Sequence, residues 1–158
     1  MSTIYEKIKE DHEHHRALLN RIAETEGASD ERKEAWEEFY YDVCSHAAAE
    51  EETFYSKLMA KPEGQDDARH SVAEHKELDD IMKELHEMDM SSGGWLTRFK
   101  TLKHDYEHHM EEEENEIFEQ ARAALHDDKD GTIAAEFEKR KKAERKLVDQ
   151  KAEGKLEE

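Results

Sequence analysis

The sequence contains very few of the residues that cross-link a chain or interrupt helices. Its 158 residues include one cysteine, one proline and six glycines. The single cysteine, Cys44, excludes an internal disulfide. The sequence also lacks an apolar run long enough to span a membrane and shows no secretory signal, so we expect a soluble, cytoplasmic protein.

The charge of the chain is strongly of one sign. The formal net charge is -19, and charged residues make up 42% of the chain against 35% for hydrophobic residues. A field of this sign repels nucleic acid and anionic membranes, so we expect neither as a partner. Because the hydrophobic residues recur at helical spacing, we interpret the acidity as the solvated face of packed helices.

Between the glycines and the proline, the chain is rich in Ala, Glu, Lys, Leu and Met, which favour helices. We predict helices over residues 2–26, 31–61, 66–90, 94–126 and 132–150. Short connections make neighbouring helices antiparallel, which predicts an all-α protein with an up-down-up-down four-helix bundle at 1–128. Residues 129–158 are predicted to form a charged C-terminal helix or tail, which is expected to pack loosely because it has few apolar positions.

The chain contains an internal repeat with a period of 63 residues. Each half consists of a predicted helical hairpin with one histidine on its first helix and an H-x-x-x-E motif on its second. The repeat matches rare residue types as well as common ones, namely Asp11-His12 with Glu74-His75, His46 with His109, and Glu50-Glu51 with Glu113-Glu114. Two such hairpins packed face to face would direct matched side chains to a site near an approximate two-fold axis.

Six residues of the repeat lie on the apolar stripes of the predicted helices. On the fourth helix the row of Trp95 and Phe99 continues through His109 and Glu113, whereas His108 lies on a solvent-facing row. The residues that point into the core in this way are His12, His46, Glu50, His75, His109 and Glu113. Two buried carboxylates with four imidazoles need compensation, which divalent Fe, Mn or Zn would supply. A buried polar network without metal is the alternative.

Two further core positions differ between the halves. His15 falls on Leu78 in the other half, and it could be an additional ligand, a donor to the ligands or a histidine at the edge of the core. Tyr106 falls on Val43, and it could donate a hydrogen bond to a molecule at the metals or serve in packing alone. Both residues are therefore candidates for the surroundings of the site.

The other polar neighbours of these motifs are expected outside the donor set. Glu51 and Glu114 directly follow the two core glutamates, and we predict that they flank the ligands as outer partners. The remaining histidines are expected on the surface, at His14, His70, His86, His104, His108 and His126.

At these motifs the sequence resembles the hemerythrin-like family of HHE cation-binding domains. The resemblance covers roughly residues 4–125 and rests on Asp11-His12, Glu74-His75, and the segments HAAAEEETFY from His46 and HMEEEENEIF from His109. It implies a bundle that holds two non-haem iron ions joined by an oxo or hydroxo bridge. It also implies four terminal ligands and two bridging carboxylates, which are His12, His46, His75 and His109, and Glu50 and Glu113.

The chain departs from the oxygen-carrying hemerythrins at two positions. Those proteins have a second histidine one turn after the first on the third helix, where this chain has Asp79. Their last carboxylate is an aspartate in an H-x-x-x-x-D pattern, where this chain has Glu113 in H-x-x-x-E. The resemblance therefore leaves a fifth histidine ligand open.

A pair of irons with open coordination positions could serve several functions. We expect binding of O2 or a related small ligand, for sensing, storage or delivery. The alternatives are a redox enzyme that consumes peroxide or nitric oxide, an iron sensor that folds around its metal, and a structural zinc site. The expected partners are accordingly small molecules such as O2, peroxide or nitric oxide.

Overall fold

The computed structural model of the chain describes the backbone of residues 2–157 and the side chains of residues 2–147. Within that backbone the chain forms five helices and no strand, which confirms the all-α prediction. The helices are α1 (Ile4–Ala23), α2 (Asp30–Glu50, continued by Glu51–Tyr55 and Ser56–Met59), α3 (Gln65–Glu87), α4 (Gly93–Glu112, continued by Glu113–Ile117 and Phe118–Ala124) and α5 (Thr132–Glu157). None of the helices in this described part has the length and apolar character needed to cross a membrane.

A widened turn interrupts the α-helical hydrogen bonding in both α2 and α4. Residues Glu51–Tyr55 and Glu113–Ile117 form π-helical turns, in which the hydrogen bonds span five residues instead of four. The two turns fall at nearly the same place in the 63-residue repeat. They begin at or next to the two core glutamates, and π-helical turns are frequent at functional sites.

The buried apolar residues form two clusters, one toward each end of the bundle. The first cluster includes Trp36, Trp95 and Phe99, and the second includes Phe54 and Phe118. Helices α1 to α4 each pass from one cluster to the other, and the histidines and glutamates predicted as ligands lie at or near the crossing point. The site is therefore a polar layer with apolar packing on both sides.

The C-terminal helix packs against the bundle, so the prediction of loose packing is wrong for the part whose side chains are described. Phe137 is fully buried, and its ring centroid lies 5.5 Å from that of His46. Lys141 Nζ on the same helix lies 2.9 Å from Asp11 Oδ1. A few apolar residues on one face, together with cations that meet acidic partners, are sufficient to hold α5 on α1 and α2.

A buried aspartate joins the start of α5 to the start of α1. Asp128 Oδ2 accepts hydrogen bonds from the backbone N–H of Ile4 at 2.9 Å and of Ala134 at 3.0 Å. Its Oδ1 accepts one from the backbone N–H of Ile133 at 2.9 Å. The first N–H groups of a helix have no partner within the helix and carry partial positive charge, so one carboxylate stabilises both helix starts.

Replacement of Phe137 by alanine tests whether α5 is an integral part of the fold. We expect Phe137→Ala to lower the free energy of unfolding by about 3 kcal/mol, because it removes a fully buried ring. The control is Leu147→Ala, since that side chain is 45% exposed and its loss should cost less than about 0.5 kcal/mol. Urea unfolding followed by circular dichroism measures both values, and equal losses would show that α5 behaves as a tail.

Candidate metal centre

The structure brings the six residues predicted as ligands together in the interior. Their donor atoms form two groups, each with all atoms within 4.8 Å of one another: His12, His46, Glu50 and Glu113, and Glu50, His75, His109 and Glu113. Glu50 and Glu113 belong to both groups. The arrangement therefore offers two neighbouring positions for a cation, with two carboxylates shared between them.

Each shared glutamate directs one oxygen to each group. The four contacts from histidine Nε2 are His46 to Glu50 Oε2 at 3.3 Å, His75 to Glu50 Oε1 at 3.1 Å, His12 to Glu113 Oε1 at 3.1 Å and His109 to Glu113 Oε2 at 3.7 Å. Ligand atoms in a tetrahedral zinc site lie about 3.3 Å apart, because each bond is about 2.0–2.1 Å long. The observed spacing would thus suit small divalent cations, and each glutamate has one oxygen available for each of the two positions.

Three of the four carboxylate oxygens at the centre lack hydrogen bonds within the described chain. Both oxygens of Glu50 and Oε1 of Glu113 are buried without a hydrogen-bond partner, although histidine nitrogens lie within 3.3 Å of them. These contacts are close, but they are not aligned as hydrogen bonds. Ionised carboxylates buried in this way cost several kcal/mol unless they are compensated. Cations between the histidines and glutamates would satisfy these atoms, so the donor set fits a pair of metal ions.

A carboxylate on a neighbouring helix orients one histidine in each half. Asp11 Oδ2 accepts a hydrogen bond from His46 Nδ1 at 2.7 Å, and Glu74 Oε1 accepts one from His109 Nδ1 at 3.0 Å. Because an ionised carboxylate can accept but not donate, Nδ1 carries the hydrogen, and Nε2 of the neutral ring presents its lone pair to the centre. Asp11 and Glu74 match in the repeat, so both halves orient a ligand in the same way.

Glu51 and Glu114 flank the centre, as expected, and contact the other two histidines. A carboxylate oxygen of Glu51 lies 3.5 Å from His75 Nδ1, and one of Glu114 lies 3.5 Å from His12 Nδ1. Glu114 also forms an ion pair with Arg16. Although burial raises the pKa of Glu114, its contacts with His12 and Arg16 lower that pKa to about 2. Both glutamates thus lie beside the ligands and outside the two donor groups.

The carboxylates also increase the affinity of two histidines for protons. Burial lowers the pKa of His46, but the charge of Glu50 and the hydrogen bond to Asp11 raise it to about 10. Burial likewise lowers the pKa of His75, and its contacts with Glu50 and Glu51 raise it to about 10. Metal ions bind the neutral imidazole, so metal uptake competes with protonation at these residues.

His15 connects Tyr106 to Asp42 in the interior. His15 Nδ1 lies 2.8 Å from the Tyr106 hydroxyl, and Nε2 lies 2.5 Å from Asp42 Oδ2. Burial lowers the pKa of His15 to about 4, so the ring is neutral at pH 7. Burial raises the pKa of Asp42, but the hydrogen bond with His15 outweighs this and keeps the carboxyl ionised. Nε2 therefore donates to Asp42, Nδ1 accepts from Tyr106, and neither nitrogen is left for a metal.

Tyr55 contacts the centre and was not singled out from the sequence. Its hydroxyl donates a hydrogen bond to Glu113, and its side chain is buried. Burial and the charges of Glu113 and Glu50 raise the pKa of Tyr55 well above its usual value, so the hydroxyl keeps its hydrogen. The sequence signal for this residue is a mismatch in the repeat, since Tyr55 falls on Phe118.

The positions expected at the surface are found there. Each of the following histidines is exposed: His14, His70, His86, His104, His108 and His126. Asp79, which stands where the oxygen carriers have a further histidine, is half-buried, and its Oδ2 lies 2.9 Å from Lys83 Nζ. Among the described residues, Asp79 belongs to neither inner donor group.

Replacement of Asp11 by asparagine tests the role of the orienting carboxylate. We expect Asp11→Asn to weaken metal binding by about 10- to 100-fold, because His46 loses the partner that fixes its ring and increases its basicity. The control is Glu38→Gln, since Glu38 contacts the exposed His14 at 3.2 Å. Competition with a chromophoric chelator measures both affinities, and the same affinity in the two variants would contradict the assigned role.

Comparison with known proteins identifies the family. The family model described as hemerythrin HHE cation binding domain matches residues 3–121. Among solved structures, the chain is similar to the crystal structure of a hemerythrin HHE cation binding domain-containing protein from Mycobacterium kansasii, with a TM-score of 0.77 and 23% sequence identity over 90% of each chain. A comparison with curated proteins finds no match. The matched region contains all six predicted ligands, and the chain belongs to the hemerythrin HHE cation-binding domain family.

Proposed function

We propose that the protein holds two iron ions at this centre and binds O2 or a related small ligand there. The proposed ligands are His12 and His46 for one ion, His75 and His109 for the other, and Glu50 and Glu113 as bridges. Imidazole combined with carboxylate suits redox-active first-row metals such as iron. When bound, iron supplies open coordination positions at which small oxygen- or nitrogen-containing molecules can bind.

A small cavity beside the donors carries the proposal. It has a volume of about 30 Å³. Its polar lining consists of His46, His75, His109, Tyr106 and Asp79, and the rest consists mainly of apolar side chains such as Val43 and Met82. One water molecule needs roughly 10–15 Å³, so the cavity accepts a molecule of a few atoms. Pockets for organic substrates have volumes of about 300–1,000 Å³. The cavity therefore favours a small gas or peroxide over an organic substrate.

The proposal extends to the arrangement and surroundings of the protein. Helices α1 to α4 form the antiparallel up-down-up-down bundle, because short connections reverse the chain between consecutive helices. The partners are small molecules, and the net charge of -19 disfavours nucleic acid and anionic membranes. We place the protein in the cytoplasm, where its single cysteine would stay reduced.

Metal content and the absorption spectrum of aerobically purified protein test the proposal. We expect about two irons per chain, with near-ultraviolet absorption that bleaches with dithionite and returns in air. His46→Ala should lose most of the iron, whereas His14→Ala should keep it, because His14 is 48% exposed and contacts Glu38 at the surface. Zinc, or no metal, in protein from iron-replete cells would contradict the proposal.

A redox enzyme that consumes peroxide or nitric oxide is the second candidate. It is favoured by the series Tyr106, His15 and Asp42, in which hydrogen bonds lead from the cavity away from the centre. The series reaches the half-exposed Arg145, whose Nη1 lies 3.1 Å from Asp42 Oδ1. Reduction of peroxide or nitric oxide consumes protons. The series could deliver them if Tyr106 turned its hydrogen to the cavity and His15 then donated to Tyr106 and accepted from Asp42. Reversible binding of O2 consumes no protons and needs no series of groups to deliver them.

Replacement of Tyr106 by phenylalanine separates the two candidates. If the protein turns over peroxide or nitric oxide, Tyr106→Phe should lower turnover by about 100-fold, the contribution of a positioned proton donor, and leave the iron content unchanged. The control is Tyr40→Phe, because the Tyr40 ring stacks on His86 and lies outside the series. Equal turnover in the two variants would exclude proton delivery through Tyr106.

A further inference from the structure

A second set of histidine and glutamate side chains lies on the outer side of α3 and α4. His70 and Glu74 belong to α3, and His108 and Glu112 belong to α4. In each pair the residues are four apart, which places both side chains on one face of the helix. The inner centre uses the same H-x-x-x-E spacing twice, so the chain contains four such pairs on its second, third and fourth helices.

The two outer pairs meet between the helices. His70 Nε2 lies 2.8 Å from Glu112 Oε1 and 3.2 Å from Glu74 Oε1, and His108 Nε2 lies 3.4 Å from Glu112 Oε2. The donor atoms of His70, Glu74 and Glu112 all lie within 4.8 Å of one another. Ligand atoms in a tetrahedral zinc site lie about 3.3 Å apart. The donors of His70, Glu74 and Glu112 are thus spaced like a metal ligand set, and His108 adjoins this set through its contact with Glu112.

We propose that His70, Glu74, His108 and Glu112 form a third cation site, which binds one divalent ion of the zinc or ferrous-iron type. Two imidazoles with two carboxylates favour such an ion, whereas Mg²⁺ and Ca²⁺ prefer oxygen ligands. The side chains of the two glutamates are 20% exposed, and those of His70 and His108 are 52% and 68% exposed. An ion can therefore enter directly from solvent, where the net charge of -19 attracts cations.

The other half of the repeat uses a protein cation at the corresponding place. There, the equivalents of His70, His108 and Glu112 are Lys7, Ser45 and Ala49. Asp11, the equivalent of Glu74, receives the ammonium group of Lys141, which lies 2.9 Å from its Oδ1. No lysine or arginine among residues 2–147 forms an ion pair with Glu74, whose partners are histidines. A metal ion at the outer site would supply the positive charge that Lys141 supplies to Asp11.

Glu74 joins the outer site to the inner centre. Its Oε1 lies 3.2 Å from His70 Nε2 and 3.0 Å from His109 Nδ1. A cation bound by Glu74 would compete with His109 for the charge of this carboxylate and would weaken the hydrogen bond that orients the inner ligand. The outer site goes beyond the proposed iron function and does not require iron in the inner centre.

Zinc titration of the purified protein tests the outer site, in an excess of Mg²⁺ that occupies weak acidic sites. By isothermal titration calorimetry, we expect the wild-type protein to bind one more zinc ion per chain than His70→Ala. The matched control is His14→Ala, because His14 and His70 are 48% and 52% exposed and each contacts a glutamate. His14→Ala should keep the wild-type number of zinc ions.

Side-chain ¹⁵N NMR identifies the ligands in the same titration. The ring resonances of His70 and His108 should shift on zinc addition, and those of His14 should stay in place. His46→Ala lacks an inner ligand and should still take up the outer zinc. Loss of zinc binding at the inner centre can therefore be distinguished from loss of zinc binding at the outer site. Equal zinc numbers in wild type and His70→Ala, an equal loss in His14→Ala, or unchanged His70 and His108 resonances would overturn the proposal.

Discussion

The burial of Glu50 and Glu113 is the constraint on which the rest of the structure depends. Both carboxylates are fully buried, and an uncompensated pair of charges at this depth would cost a large part of the stability of a domain of this size. Four histidines surround them, and cations between these donors would complete the compensation. The apolar clusters on both sides exclude water and strengthen the electrostatic interactions within the layer. The packing of the core therefore also sets the positions at which the ligands meet.

The repeat gives the two halves of the metal centre matching ligand residues, but the residues around those ligands differ between the halves. Tyr55 contacts Glu113 and packs against His75, with ring centroids 5.9 Å apart, and the second half has phenylalanine at the equivalent position. Tyr106 packs against His109 and lines the cavity. The Tyr55 hydroxyl thus lies on the side of His109, whereas the Tyr106 hydroxyl lies 2.8 Å from His15 Nδ1. Two metal positions with the same ligand types would therefore differ in the tyrosine side chains around them.

The donor set could be predicted from the sequence because its signal is local and repeated. His109 and Glu113 continue an apolar row at helical spacing, and the 63-residue repeat selects the same positions in the first half. The contact of Asp42 with His15 and the packing of Phe137 join distant parts of the chain, and no local pattern reports them. The π-helical turns were also missed, because one widened turn hardly alters a short apolar stripe. Tyr55 could be predicted only in part. The repeat shows that Tyr55 falls on Phe118, but it does not show that the Tyr55 hydroxyl contacts Glu113.

The position of α5 makes access to the centre one-sided. This helix packs mainly on α1 and α2, where Lys141 neutralises Asp11. The cavity lies between α2, α3 and α4, and His70 and His108 lie on α3 and α4. Cations and small neutral molecules would therefore approach from the same side and be selected differently. The acidic surface attracts cations and repels anions, whereas the small, largely apolar cavity would admit uncharged molecules of a few atoms. A centre that binds metal and a gas or peroxide, as proposed, would need both kinds of selection, and the side of the bundle that α5 leaves uncovered could provide both.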